Sequence, residues 1–240
     1  MLKDTITHFG LEVQPRKRGY FLNKENYVSM NNRRSLGKDE VYKRALEANN
    51  IEILAYYEGI YADSEGLIYT EDTCNRFLHE AMENFDLNMA FFSKLDRKKF
   101  NAEIDLFVKK TKFKNVYDLN SCCCAGYYVM ILDGYCQLYV GTSKNIKDRI
   151  RQHWNGGKLR LDRLVCGSVN TSKLSIDSFR CLDTTRLLVY RTQNIYSTED
   201  DYIGYFSDDY LCNRVKGGLF LGDNPFSIDS ADRYKYRSFE

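Results

Sequence analysis

Gly126-Tyr127-Tyr128-Val129-Met130-Ile131-Leu132-Asp133-Gly134-Tyr135-Cys136-Gln137-Leu138-Tyr139-Val140-Gly141 is the stretch on which the reading of this chain turns. Tyr127 to Leu132 is a compact apolar run, Asp133-Gly134 is a hairpin turn signal, and Gln137 to Val140 reads as the return strand. A helix follows. Asn145 to Trp154 places Ile146, Ile150 and Trp154 on one stripe, with Arg149 and His153 one turn apart along its edge. Gly156-Gly157 ends this helix, and a less regular stretch leads to a strand over Leu187 to Arg191 and a helix from Ser197 to about Tyr210. Strand, strand, helix, irregular segment, strand, helix implies an α+β fold: a small three-stranded antiparallel sheet flanked by helices.

Upstream the pattern is helix-rich and mixed. A helix is expected from Ser35 to the pair Asn49-Asn50, and the β-branched and aromatic run Ile51 to Tyr57 reads as a strand. A turn at Asp63-Ser64-Glu65-Gly66 leads to a short strand over Leu67 to Tyr69. Thr70 or Asp72 can cap the next helix, with Phe77, Leu78 and Met82 on one face, and Asp96 can cap another that carries Phe100, Ile104, Phe107 and Val108. These signals divide the chain into a helix-rich N-terminal domain over residues 1–118, suited to target recognition or regulation, and a second domain over 119–240.

Composition excludes several classes. A chain of 240 residues with 43% hydrophobic and 28% charged residues has the balance of a globular protein with a sizeable core. Only two prolines occur, and no Ser/Gly-rich linker, which argues against long disordered segments. No apolar run approaches the ~18–20 residues of a membrane span, and Met1-Leu2-Lys3-Asp4-Thr5 lacks the apolar core of a signal peptide; a cytoplasmic location is expected. Eight cysteines, three of them consecutive at Cys122-Cys123-Cys124, show no C-x-x-C spacing, and the three histidines do not pair with them as zinc ligands would. Reduced thiols acting as small apolar residues are the expectation. The net charge is +2, but charge is segregated: Glu52 to Asp86 is acidic and Lys94 to Lys114 basic. Such blocks suit a phosphate-facing surface beside an acidic one, and suit solvated faces equally.

The hairpin carries more specific information. Gly126-Tyr127-Tyr128 and Tyr139-Val140-Gly141 lie on its two strands, followed by Arg149 eight residues after Gly141; further on come Glu199 at a helix start, the pair Tyr202-Ile203, and Asn213 past the helix end. Over about residues 121–215 this pattern resembles the GIY-YIG endonuclease family. The literal strings Gly59-Ile60-Tyr61 and Tyr202-Ile203-Gly204 do not carry the resemblance: they lie more than a hundred residues apart, and the second falls in a helical pattern. The match at the hairpin departs from the family pattern in reading Gly-Tyr-Tyr instead of Gly-Ile-Tyr.

The resemblance implies phosphodiester hydrolysis, which needs an activated water, stabilisation of phosphoryl charge and help for the leaving oxygen. Tyr128 would orient or deprotonate the water with Tyr139 beside it. Arg149 would clamp the scissile phosphate and draw the phenol, ordinarily near pKa ~10, toward neutrality. His153 would be a phosphate ligand or proton donor, or brace the helix. Glu199 would hold one divalent metal, Mg²⁺ or Mn²⁺, through a carboxylate and waters. Lys144, Arg151 and Lys158 are further candidates for contacts with nucleic acid. The bland readings are two strand tyrosines packing through one ring face, and a Glu199 favoured in a first helical turn by the helix dipole, with Ser197-x-x-Asp200 resembling a capping box. Asn213 reads as a pin for the chain after the helix. The segments Ser175-Ile176-Asp177-Ser178-Phe179-Arg180 and Leu182-Asp183-Thr184-Thr185-Arg186 resemble a segment of uncharacterised GIY-YIG proteins; Thr, Asp and Arg at turns can contact phosphates or stitch a loop to its own backbone, and the structural reading is favoured. The expected partner is DNA, with RNA left open. Double-strand cutting from one site per chain would imply a dimer or sequential nicking. A non-catalytic nucleic-acid-binding module and a regulatory protein are the alternatives.

Overall fold

The computed structural model describes residues 5–14, 19–31, 35–61, 70–155, 174–195 and 197–213. Along the chain these form β1 (Ile6–His8), β2 (Leu11–Val13), α1 (Lys24–Asn31), α2 (Glu40–Glu47), α3 (Ile51–Ile60), α4 (Glu71–Ser93) and α5 (Arg97–Lys110). There follow β3 (Lys114–Asn115), β4 (Gly126–Leu132), β5 (Gln137–Ser143), α6 (Ile146–Asn155), β6 (Arg186–Arg191) and α7 (Glu199–Ile203). The fold class is α+β.

The main sheet has four strands in the order β3-β6-β4-β5, every neighbouring pair antiparallel. The three expected strands are present, and the two-residue β3 adds a fourth at the β6 edge. A second, two-stranded sheet, β1-β2, was not legible in the sequence. The main hairpin closes through a single 3-10 turn over Asp133–Tyr135 and a left-handed Cys136 (φ 49°), not through a two-residue Asp-Gly turn. Long-range polar bonds hold this wider loop: Thr185 Oγ1 and Arg186 both donate to the Asp133 carboxylate, and the Tyr135 hydroxyl donates to Asp183.

The sheet is buried on both faces because its strands alternate into two different cores. Tyr128, Met130, Leu187 and Val189 face one core, with α6, with Phe85 and Phe92 of α4, and with Leu11 and Val13 of β2. Tyr127, Val129, Ile131, Val140 and Leu188 face the other, with Phe100, Ile104 and Phe107 of α5 and with Ile203, Phe206 and Tyr210. Residues from both sides of position 118 therefore share these cores. Each large side chain buried here contributes roughly 1.5–3 kcal/mol.

The helix caps read from sequence hold at two positions. The Thr70 side chain accepts the Thr73 N–H at the start of α4, and Asp96 accepts those of Lys98 and Lys99 at the start of α5. Three element assignments need correction. Ile51 to Tyr57 is not a strand but most of α3. Asn49 takes a left-handed turn (φ 49°), Asn50 caps the new helix by accepting the Ile53 N–H, and no strand among the described residues lies alongside to pair with it. β-propensity measures fit to a sheet neighbour, so without one it yields to the cap. The helix expected from Ser35 starts at Glu40 under an Asp39 cap. The helix expected over Ser197 to Tyr210 is the short α7 followed by a 3-10 turn at Asp208–Tyr210. It breaks where the Glu103 carboxylate accepts both the backbone N–H and the hydroxyl of Ser207. The turn at 63–66 and the strand at Leu67 to Tyr69 lie outside the described residues. Among the described residues no helix is long and apolar enough to cross a membrane.

Candidate functional site

The site is built where β4 and β5 pair beneath α6. Tyr128 stands directly opposite Gly141 and Met130 opposite Tyr139, so both tyrosines project from the same face of the hairpin. Their ring centroids are 6.1 Å apart. Gly141 provides the space between them: a Cβ there would sit 2.5 Å from the Tyr128 hydroxyl and ring carbon Cζ and 2.7 Å from the Tyr139 ring. Gly126 serves the backbone. Its φ of 155° and a would-be Cβ 2.2 Å from the Tyr190 carbonyl oxygen let β4 close against β6 at the site end of the strand.

α6 is aimed by its first turn. The Ile146 N–H donates to the Cys124 carbonyl, just before β4, and the Asn145 side chain accepts the Asp148 N–H. Its apolar stripe, Ile146, Ile150 and Trp154, is buried in the core beneath Tyr128. At the far end the Trp154 indole N–H donates to Thr184 Oγ1 (2.9 Å), and His8 of β1 bonds the Thr184 carbonyl (2.9 Å). The helix is thus fixed at both ends, and His153 is 1% exposed. His153 Nε2 lies 2.9 Å from the Tyr128 hydroxyl, and its Nδ1 lies 2.7 Å from Asp177 Oδ1. Asp177 comes from a 3-10 turn, Ile176–Ser178.

Arg149 is half-buried and reaches toward both tyrosines. Burial alone would lower its pKa, but Tyr128, Tyr139 and Asp177 outweigh this and hold it above the ordinary value. Glu199, half-buried at the start of α7, belongs to the same neighbourhood. Burial and then Asp200 push its carboxyl up to about 7, while Arg149 pulls it down. Tyr127, the neighbour of Tyr128 on the opposite face of the sheet, places α7: its hydroxyl accepts the Thr198 N–H at 3.3 Å. Ser197 forms no capping box, since its hydroxyl bonds Asn194 and Thr198 occupies the cap position without a side-chain bond.

The expected lowering of the tyrosine phenols is not found. Burial drives Tyr128 well above the ordinary phenol value, with Tyr139 adding and Arg149 opposing. Burial also takes Tyr139 up to about 12 against Arg149. The positive charge is present, but desolvation of the phenolate is the larger effect. Both phenols are therefore protonated at neutral pH. Tyr128 is also 0% exposed, whereas Tyr139, Arg149 and Glu199 are half-buried. Tyr139, Arg149, Glu199 and Asp177 are thus partly exposed around a fully buried pair, Tyr128 and His153.

Tyr128, Tyr139, Arg149, His153 and Glu199 are thereby brought together by hydrogen bonds or charge. Lys144 is exposed just beyond β5. Arg151 is exposed on the outer side of α6, where it lines a cavity of about 240 Å³ with Glu12, Gln14 and Asn155. Lys158 lies outside the described residues. Asn213 pins the chain as expected: its side-chain oxygen accepts the Val140 N–H (2.9 Å) and its amide donates to the Val140 carbonyl (2.7 Å). Asp177 lies in a segment whose sequence reads as a stitched loop, and no local spacing signals its tie to His153, 24 positions earlier.

Among the described residues no group of three or more His, Cys, Asp or Glu is arranged to cage a metal. The carboxylate that could hold a cation is Glu199, which makes no hydrogen bond or ion pair among the described residues. A lone half-buried carboxylate suits a cation that keeps most of its water. No family model, curated protein or solved structure matches the chain.

Proposed function

We propose that the protein is a GIY-YIG-type endonuclease that hydrolyses phosphodiester bonds, with DNA as substrate. The observation that carries this reading is the convergence of Tyr128, Tyr139, Arg149 and Glu199 on one spot, with His153 bonded to Tyr128. The order β4-β5-α6-β6-α7 agrees with that fold.

In this reading Arg149 binds the scissile phosphate and balances charge developing on its oxygens. Water attacks from the half-buried side of the site, beside Tyr139 and Arg149. Because the phenols are protonated, the water proton leaves by relay: Tyr128 passes its own proton to His153 Nε2 and takes the one from water. The new P–O bond forms as the ester P–O bond breaks, and the leaving alkoxide takes a proton from solvent. A divalent metal, Mg²⁺ or Mn²⁺, held by Glu199 and water would supply charge for the phosphate and leaving oxygen. Incubation of the whole chain with supercoiled plasmid tests the reading. Nicking with Mg²⁺, none with EDTA, and a loss of at least about 100-fold in Glu199→Ala are expected.

The full burial of Tyr128 favours a second reading, a module that binds nucleic acid without cutting it. Binding that weakens steeply with salt, with no cleavage of DNA or RNA in Mg²⁺ or Mn²⁺, would select it.

A further inference from the structure

We infer that Asp177 is a positioning residue for the buried Tyr128–His153 pair: its carboxylate fixes the His153 tautomer that carries the proton on Nδ1 and leaves Nε2 to take the Tyr128 proton. This rests on the hydrolytic reading of the site and extends it to a residue for which the resemblance implies no role.

The geometry has three parts. First, the His153 ring is sandwiched between an anion and a phenol, with Nδ1 at 2.7 Å from Asp177 and Nε2 at 2.9 Å from Tyr128. A neutral imidazole has one N–H, and the better acceptor takes it. An ionised carboxylate accepts only, whereas the Tyr128 hydroxyl has a proton to give, so the proton sits on Nδ1. Second, Asp177 is held in place. Its turn is closed by Ser178 N–H to the Ser175 carbonyl and by Phe179 N–H to the Ile176 carbonyl, and Ile176 and Phe179 are buried in the same core as α6. The Asp177 side chain is 18% exposed, so it reaches His153 from the rim of the core. Third, among the groups that face the pair Arg149 favours loss of the Tyr128 proton, against burial, Tyr139 and Glu199. Tyr128 faces His153 from β4 and Tyr139 from β5, its ring 5.1 Å away and edge-on. Arg149 lies one turn back on α6, and Glu199 from α7 acts on both tyrosines.

The proton balance closes within the trio. The Tyr128 O–H bond breaks as an Nε2–H bond forms, water replaces the phenol proton, and the resulting imidazolium lies against an Asp177 that keeps its charge. Asp177 touches neither substrate nor water in this scheme.

Two measurements on Asp177→Asn, with Asp177→Glu as the conservative variant, test the inference. Ring ¹⁵N spectra of His153 need no activity. The wild type is expected to show a protonated Nδ1 and an acceptor Nε2, and Asp177→Asn is expected to lose that fixed tautomer. In cleavage assays Asp177→Asn is expected to lower kcat about 100-fold with KM unchanged. The rise of rate with pH should also move to lower pH, because a histidine without its carboxylate loses its proton more easily. Asp177→Glu should regain part of the rate. Unchanged His153 ring shifts in Asp177→Asn would overturn the inference, as would a lower rate with an unmoved pH profile. Failure of the wild type to cleave would remove the nuclease reading, while the ring spectra would still decide whether Asp177 sets the tautomer.

Discussion

Tyr127 and Tyr128 are consecutive residues on one strand, and they do opposite things. The Tyr127 ring enters an aromatic pile, stacked with Tyr190 and edge-on to Tyr202, and its hydroxyl accepts a backbone N–H that sets the start of α7. The Tyr128 ring faces α6, and its hydroxyl is committed to His153, near Arg149. The alternation of the strand separates them: one face of the sheet builds a dry aromatic core, and the other holds a polar cluster inside an equally tight one. A buried polar cluster is maintained only if its groups are partnered, and here His153 partners both Tyr128 and Asp177.

The contrast can be broken on either face. The largest effect on cleavage is expected from Gly141→Ala, whose methyl would meet the Tyr128 hydroxyl at 2.5 Å. Displacing both rings should reduce cleavage by about 100-fold and cost about 1–3 kcal/mol of stability, read from plasmid nicking and urea unfolding. On the other face Tyr127→Ala should cost about 3–5 kcal/mol in the same unfolding experiment, because the cavity opens among rings that cannot collapse into it. Asn213→Ala removes two bonds to the backbone of Val140 and leaves two buried groups unpaired. That should cost about 1–3 kcal/mol, with hydrogen exchange increasing first at the β5 edge.

The smallest effect is a pH dependence. Burial raises the folded-state pKa of Tyr128 well above its ordinary value and that of Tyr139 to about 12. The folded chain thus keeps protons that the unfolded chain begins to lose near pH 10. Stability is fully present below that pH and falls as pH rises toward 12, by about 1.4 kcal/mol per pH unit for a fully buried tyrosine such as Tyr128. Ultraviolet titration of the phenolates against chemical unfolding checks it. A stability that stays flat from pH 9 to 11 would contradict the burial of the pair.

How much of this was legible differs between the halves of the chain. Around the hairpin, local signals and tertiary needs agree: the apolar run, its return strand and the stripe of α6 all point to one arrangement, and the strands and α6 lie within a few residues of the expected bounds. At Ile51 to Tyr57 they conflict. The side chains favour a sheet, but no strand among the described residues lies alongside, and the Asn50 cap prevails. The polar groups fall into the same two kinds. Tyr128, Tyr139, Arg149 and His153 come from neighbouring elements whose spacing places them. The bond from Asp177 to His153 and the short strand β3 depend on how distant segments return, and no periodicity encodes that. The direction of the tyrosine pKa shifts was likewise illegible, because a sequence names the cation but not the depth of burial.

The most direct test sets Tyr128→Phe beside Tyr127→Phe on supercoiled plasmid with Mg²⁺, each variant first shown to be folded. Each loses one hydroxyl and keeps its ring, so packing on both faces survives at a cost of about 1 kcal/mol. Tyr128→Phe is expected to lose at least about 100-fold of the cleavage and Tyr127→Phe a few-fold at most. Equal cleavage by the two variants would overturn the role given to the Tyr128 hydroxyl.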